Sequence, residues 1–131
     1  MEVQLIRNAT LKLAYAGKVI LLDPMLCPKG TFAPFAKGLL PNPSLDLTMP
    51  VDEVLFGIDC VLVTHSHPDH FDDLSSELLP KDIKLICTPA DRDYEKFEQF
   101  TNQEVLENTT PRHGTSTTSL ARPHASRPLL P

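Results

Sequence analysis

A chain of 131 residues can form one domain with a modest core, and a hydrophobic content of 41% is ordinary for a folded protein. Its 17 acidic and 12 basic residues give a formal charge of −5, which argues against a nucleic-acid partner, and no apolar run approaches the roughly 18 residues of a membrane span. Met1-Glu2-Val3-Gln4 lacks the features of a secretory leader, and Cys27, Cys60 and Cys87 show no CxxC pairing, so reduced thiols and a cytoplasmic setting are expected.

Taken in chain order, the patterning predicts strands at 3–6, 10–15 and 18–22, the last two joined by Ala16-Gly17 as a tight turn. From Pro24 to Pro50 the chain carries six prolines and little periodicity, which predicts a long irregular loop. Phe32, Phe35, Leu39 and Leu40 could line an apolar wall over a site or simply pack that loop onto the sheet. Pro50-Val51-Asp52-Glu53-Val54-Leu55 has proline and acids where a helix starts, and a strand is expected at 59–64. A short helix at 75–79, a strand at 84–87, a helix over 88–100 capped by Thr88, and a strand at 103–106 complete the order. Tyr94, Phe97 and Phe100 then form a core face. Cys60 and Cys87 lie in apolar strand-like runs and are expected in the core, whereas Cys27 falls in the loop, where a spectator thiol is the expectation. Alternating strands and helices predict an α/β architecture.

The densest chemistry lies in Thr64-His65-Ser66-His67-Pro68-Asp69-His70, with three imidazoles and one carboxylate directly after the apolar run Cys60-Val61-Leu62-Val63. These nitrogen and oxygen donors suit borderline divalent ions such as zinc. His65 and His67, two apart, project to one side of extended backbone and can share an ion. Pro68 turns the chain, so that Asp69 and His70 can serve a second ion. Paired ions are a common device for activating water, which points to hydrolysis. The residues also admit a plainer account, in which the histidines stabilise a surface turn and Asp69 caps a helix starting near Phe71-Asp72-Asp73.

His65-x-His67-x-Asp69-His70, preceded by Leu21-Leu22-Asp23-Pro24, resembles the metallo-β-lactamase-fold hydrolases. Ile6-Arg7-Asn8-Ala9-Thr10, Asp23-Pro24-Met25-Leu26 and Pro28-Lys29-Gly30 are similar to a cytosolic branch with ascorbate-6-phosphate lactonase-like and phospholipase D-like members. The resemblance implies an αββα sandwich with two metal ions, zinc first and Mn2+ or Fe2+ as alternatives. In it His65 and His67 hold the first ion, Asp69 and His70 the second, and Asp23 stands behind them. Asp69 is also the residue expected to orient the attacking water. The implied substrate is a small molecule with an ester, lactone, amide or phosphodiester centre.

The family pattern asks for further ligands from a C-terminal half. His113-Gly114-Thr115 resembles the segment carrying a third histidine, but no Asp or Glu follows Glu107 to supply a bridging carboxylate. Residues 1–107 hold all 17 acids and nine of the 12 bases, a formal −8, whereas 108–131 hold three arginines and no acid. The expectation is therefore the N-terminal half of the family domain over 1–110 and a disordered, non-family tail over 111–131. Two functions follow: a metal-dependent hydrolase, or a truncated remnant that binds metal weakly, does not turn over, and self-associates through an exposed half-core.

Overall fold

The computed structural model describes residues 1–107, in which six strands form one sheet in the order β1-β2-β3-β4-β5-β6. β1 (Glu2–Arg7), β2 (Thr10–Tyr15) and β3 (Lys18–Leu22) are an antiparallel meander. The Tyr15 to Lys18 pair closes around Ala16 and Gly17, whose φ angles of 50° and 75° give the left-handed turn that matches strand twist. β4 (Cys60–Leu62), β5 (Lys84–Cys87) and β6 (Asn102–Val105) run parallel to β3 and to one another.

Each parallel step needs a crossover, and right-handed crossovers between successively adjacent strands all fall on the same face of the sheet. α1 (Val51–Leu55) and α2 (Asp73–Leu78) lie in the first two crossovers. Leu21, Val61 and Leu85 stand abreast in register and are fully buried in one cluster with Val54, Phe71, Leu79, Phe97 and Phe100. Burying side chains of this size stabilises the fold by roughly 1.5–3 kcal/mol each. The core thus sits between the sheet and the crossovers, one α/β layer pair of the kind expected from the sequence.

The third crossover differs from expectation. In place of a helix over 88–100 the chain makes two single 3-10 turns, Pro89–Asp91 and Glu95–Phe97, with Tyr94 extended between them. Spacing of three between Tyr94, Phe97 and Phe100 suits a three-residue turn as well as a helix, so the aromatic face survives without the helix. Phe97 and Phe100 meet Phe71 edge-on at 5.1 and 6.2 Å. Thr88 makes no capping bond and donates instead to Asp91 Oδ2 at 2.7 Å.

Backbone-directed bonds, not periodic structure, hold the loop that follows β3. Buried Arg7 donates to the carbonyls of Met25, Cys27 and Leu45 at 2.8, 2.7 and 3.2 Å, and burial holds its guanidinium below the usual pKa. Phe32 and Asn42 form a bridge within the loop. Phe35, Leu39 and Leu40 are exposed and line a shallow groove with Pro41, Asn42 and Ser44, which none of the described histidines borders. Cys87 is buried as expected, while Cys60 is only half-buried. The expected tail over 111–131 lies outside the described residues.

Candidate metal centre

The histidine loop starts where β3 and β4 end side by side. Asp23 leaves β3 with φ at 44°, a left-handed conformation that aspartate tolerates better than most residues, and its N–H donates to the Leu62 carbonyl at 2.9 Å. Thr10 Oγ1 fixes this bend by donating to the Asp23 carbonyl at 2.7 Å and accepting from the Met25 N–H at 3.0 Å. The carboxylate of Asp23, 2% exposed, is thereby turned onto the first residue after β4. It accepts from the Thr64 N–H at 2.6 Å and from Thr64 Oγ1 at 2.7 Å.

The same carboxylate faces His70 Nδ1 at 2.8 Å. A carboxylate accepts, so Nδ1 donates in this contact and Nε2, on the other side of the ring, is the nitrogen left to face an ion. Asp69 Oδ2 lies 3.6 Å from that Nε2. The His65 ring is 3.7 Å from His70 and 4.7 Å from His67, centre to centre. Ligand atoms of His65, Asp69 and His70 all lie within 4.8 Å of one another. Two atoms each about 2.1 Å from one ion can be at most about 4.2 Å apart, so small side-chain rotations suffice for these three to share a metal. All three are half-buried, while His67 is exposed at the rim. The tight group is therefore His65, Asp69 and His70, a different partition from the expected two pairs. His113 lies outside the described residues.

The loop closes as a turn, with the His67 carbonyl accepting from the N–H groups of His70 and Phe71 at 2.8 and 2.9 Å. The cap of α2 is Asp72, not Asp69. Its Oδ1 accepts from the Ser75 N–H at 2.8 Å and its Oδ2 from the Cys27 N–H at 2.6 Å. Asp69 is thus left to the histidine cluster.

Two supporting residues escaped the sequence reading. Asp91 Oδ1 accepts from the Ser66 N–H at 3.2 Å, tying the third crossover to the middle of the histidine loop. Burial alone would raise its pKa, but hydrogen bonds from Ser66 and Thr88 and the nearby His65 hold it below the usual carboxylate range. Thr88-Pro89-Ala90-Asp91 has the spacing of a capping box, and that signal could have found it. Asp72 joins α2 to the loop after β3, where Ser75 Oγ also donates to the Pro24 carbonyl at 2.6 Å. The Cys27 thiol is buried and its pKa pushed up to about 11, first by burial and then by Asp72, which makes it a structural residue.

Among the described residues no helix is long and apolar enough to cross a membrane. Residues 2–119 match a family model described as a beta-lactamase superfamily domain. UPF0173 protein YddR of Bacillus subtilis (strain 168) is 45% identical over 114 residues, covering 84% of this chain and 45% of that protein. An isothiocyanate hydrolase from Delia radicum gut bacteria superposes with a TM-score of 0.76 at 37% identity, covering 86% of this chain and 44% of that one. A possible metal-dependent hydrolase from Veillonella parvula DSM 2008 superposes at 0.71 with 33% identity, covering 79% and 41%. The chain spans less than half the length of each of these relatives.

Proposed function

The chain belongs to the beta-lactamase superfamily, and on that premise we propose that it acts as a metal-dependent hydrolase through the loop His65 to His70. The observation that carries this reading is the convergence of His65, Asp69 and His70 on a rigid base, with Asp23 behind His70. His65, Asp69 and His70 would hold the ion, and His67 at the rim would complete its shell or serve a neighbouring one. Imidazole and carboxylate donors fit zinc, with Mn2+ or Fe2+ as alternatives. Such an ion lowers the pKa of a water and stabilises the negative charge that develops on the substrate.

The chain's own residues do the rest. Asp23 keeps the His70 ring turned so that Nε2 points into the cluster, and Thr64 keeps Asp23 in place. Asp69 orients the attacking water and accepts its proton. The substrate is a small molecule with an electrophilic carbon or phosphorus centre, such as an ester, lactone, amide or phosphodiester. An isothiocyanate joins that set because a 37% identical neighbour hydrolyses one. Three cysteines without disulfide partners favour a cytoplasmic setting.

A second reading rests on one observation: no Asp or Glu follows Glu107, so a bridging carboxylate of the kind the family pattern asks for has no source in the last 24 residues. On that reading the chain binds metal weakly without turnover. Screening the zinc-loaded chain against these substrate classes separates the two. Turnover abolished by His70→Ala supports the hydrolase; metal binding without turnover of any class supports the second reading.

A further inference from the structure

The root of the histidine loop is gripped from both sides. β4 lies between β3 and β5, and the residues that follow it send N–H groups to both neighbours. Val63 donates to the Ile86 carbonyl of β5 at 2.8 Å, Thr64 to Asp23 just past β3 at 2.6 Å, and Ser66 to Asp91 past β5 at 3.2 Å. Two carboxylates thus continue, beyond the strand ends, the pairing that the backbone ladder begins. Asp23 also meets His70 at the far end of the loop, whereas the bond from Asp91 falls between His65 and His67.

That position matters because a peptide unit is planar. Holding the Ser66 N–H fixes the plane shared by His65 and Ser66, and with it the directions in which the flanking side chains leave the chain. His65 is half-buried with its ring 3.7 Å from that of His70, while His67, on the other side of the held peptide, is exposed. Asp91 is itself fixed. Its Oδ2 accepts from Thr88 Oγ1 at 2.7 Å, its N–H donates to the Thr88 carbonyl at 3.2 Å, and its carbonyl accepts from the Tyr94 N–H at 3.0 Å. Both carboxylate oxygens are therefore occupied, one by the turn that carries Asp91 and one by the loop. Thr88 follows β5 directly, so the grip runs from the sheet through Thr88 and Asp91 to the Ser66 peptide.

We propose that Asp91 is a positioning residue of the metal centre: through the Ser66 peptide it selects His65, and not His67, to join Asp69 and His70. The consequence for metal binding rests on the proposed metal-dependent function, whereas the placement of the His65 ring does not. Hydrogen bonding carries the effect, not charge, and the two are separable. An asparagine amide accepts from the Ser66 N–H with its oxygen and donates to the Thr88 hydroxyl with its nitrogen, so Asp91→Asn keeps both contacts without the charge. Asp91→Ala keeps neither.

Two measurements on the full chain test this in Asp91→Ala, Asp91→Asn and Gln103→Ala. The last removes bonds to the Phe97 and Phe100 carbonyls, and so loosens the same crossover through contacts that do not reach the histidine loop. One measurement is the nuclear Overhauser contact between the His65 and His70 rings in the metal-free protein; the other is zinc affinity by chelator competition. Asp91→Ala is expected to lose the ring contact and to bind zinc about 10- to 100-fold more weakly. Asp91→Asn and Gln103→Ala are expected to retain the contact and most of the affinity. A ring contact that survives in Asp91→Ala, an affinity that does not fall there, or an equal loss in Gln103→Ala overturns the proposal. So does an Asp91→Asn protein that behaves like Asp91→Ala, which would assign the effect to charge. Should Asp91→Ala fail to fold, Thr88→Val, which removes only the anchor of the carboxylate, is read in its place. If the unaltered chain binds no zinc, the hydrolase reading fails by itself and the ring contact alone decides the role of Asp91.

Discussion

Asp23 and His70 are 47 positions apart in the chain, yet their side chains meet at 2.8 Å. The contact joins the end of β3 to the far end of the histidine loop and decides which nitrogen of His70 faces the cluster. Asp23→Asn keeps the shape and the left-handed backbone but removes the charged acceptor. Zinc affinity in a competition titration should then fall about 10- to 100-fold, with little loss of structure. An unchanged affinity would mean that the ring is oriented without Asp23.

Asp72 caps α2 and accepts the Cys27 N–H, while 1% exposed. Asp72→Ala removes a cap worth about 1 kcal/mol and strands a buried donor at a cost of about 1–3 kcal/mol. Urea unfolding should show a loss of about 2–4 kcal/mol, whereas Asp73→Ala, at an exposed position, should lose far less. Equal losses would remove Asp72 from its bridging role.

Arg7 binds three loop carbonyls, at Met25, Cys27 and Leu45. Arg7→Met should therefore free the loop before it harms the sheet. Hydrogen exchange is expected to accelerate over 28–45 while β3, β4 and β5 keep their protection. Uniform acceleration everywhere would show that Arg7 supports the whole fold.

Cys27 ionises near pH 11 when folded but near its ordinary value of about 8.5 when unfolded. The folded state holds the proton more tightly, so this contribution to stability is complete below about pH 8.5 and disappears as pH rises towards 11. Burial raises Cys60 and Cys87 in the same direction. The melting temperature should fall across that alkaline window, and the fall should be shallower in Cys27→Ala. A parallel decline in the two proteins would assign the alkaline loss to other groups.

Period-two alternation and the Ala16-Gly17 turn made the first three strands legible, because local pairing alone determines a meander. The histidine loop was legible as a cluster of possible donors, since donor type is a property of residues. Its grouping was not: the association of His65 with Asp69 and His70 depends on the turn through His67, and that turn is anchored by Asp91 from 25 positions away. The missing helix over 88–100 has the same origin, because Thr88 donates to Asp91 instead of capping a helix, and Asp91 in turn accepts from the Ser66 N–H of the histidine loop. Arg7 stood in the sequence only as part of the segment Ile6 to Thr10, and the long-range carbonyls of the loop are what give it a buried place.

The most direct test is zinc titration of the full chain beside the His65→Ala, Asp69→Ala and His70→Ala variants, read with a chromophoric chelator. Stoichiometric binding that weakens at least about tenfold in each variant is the expected result. Binding that is absent from the unaltered chain at micromolar zinc, or identical in all three variants, would contradict the metal centre.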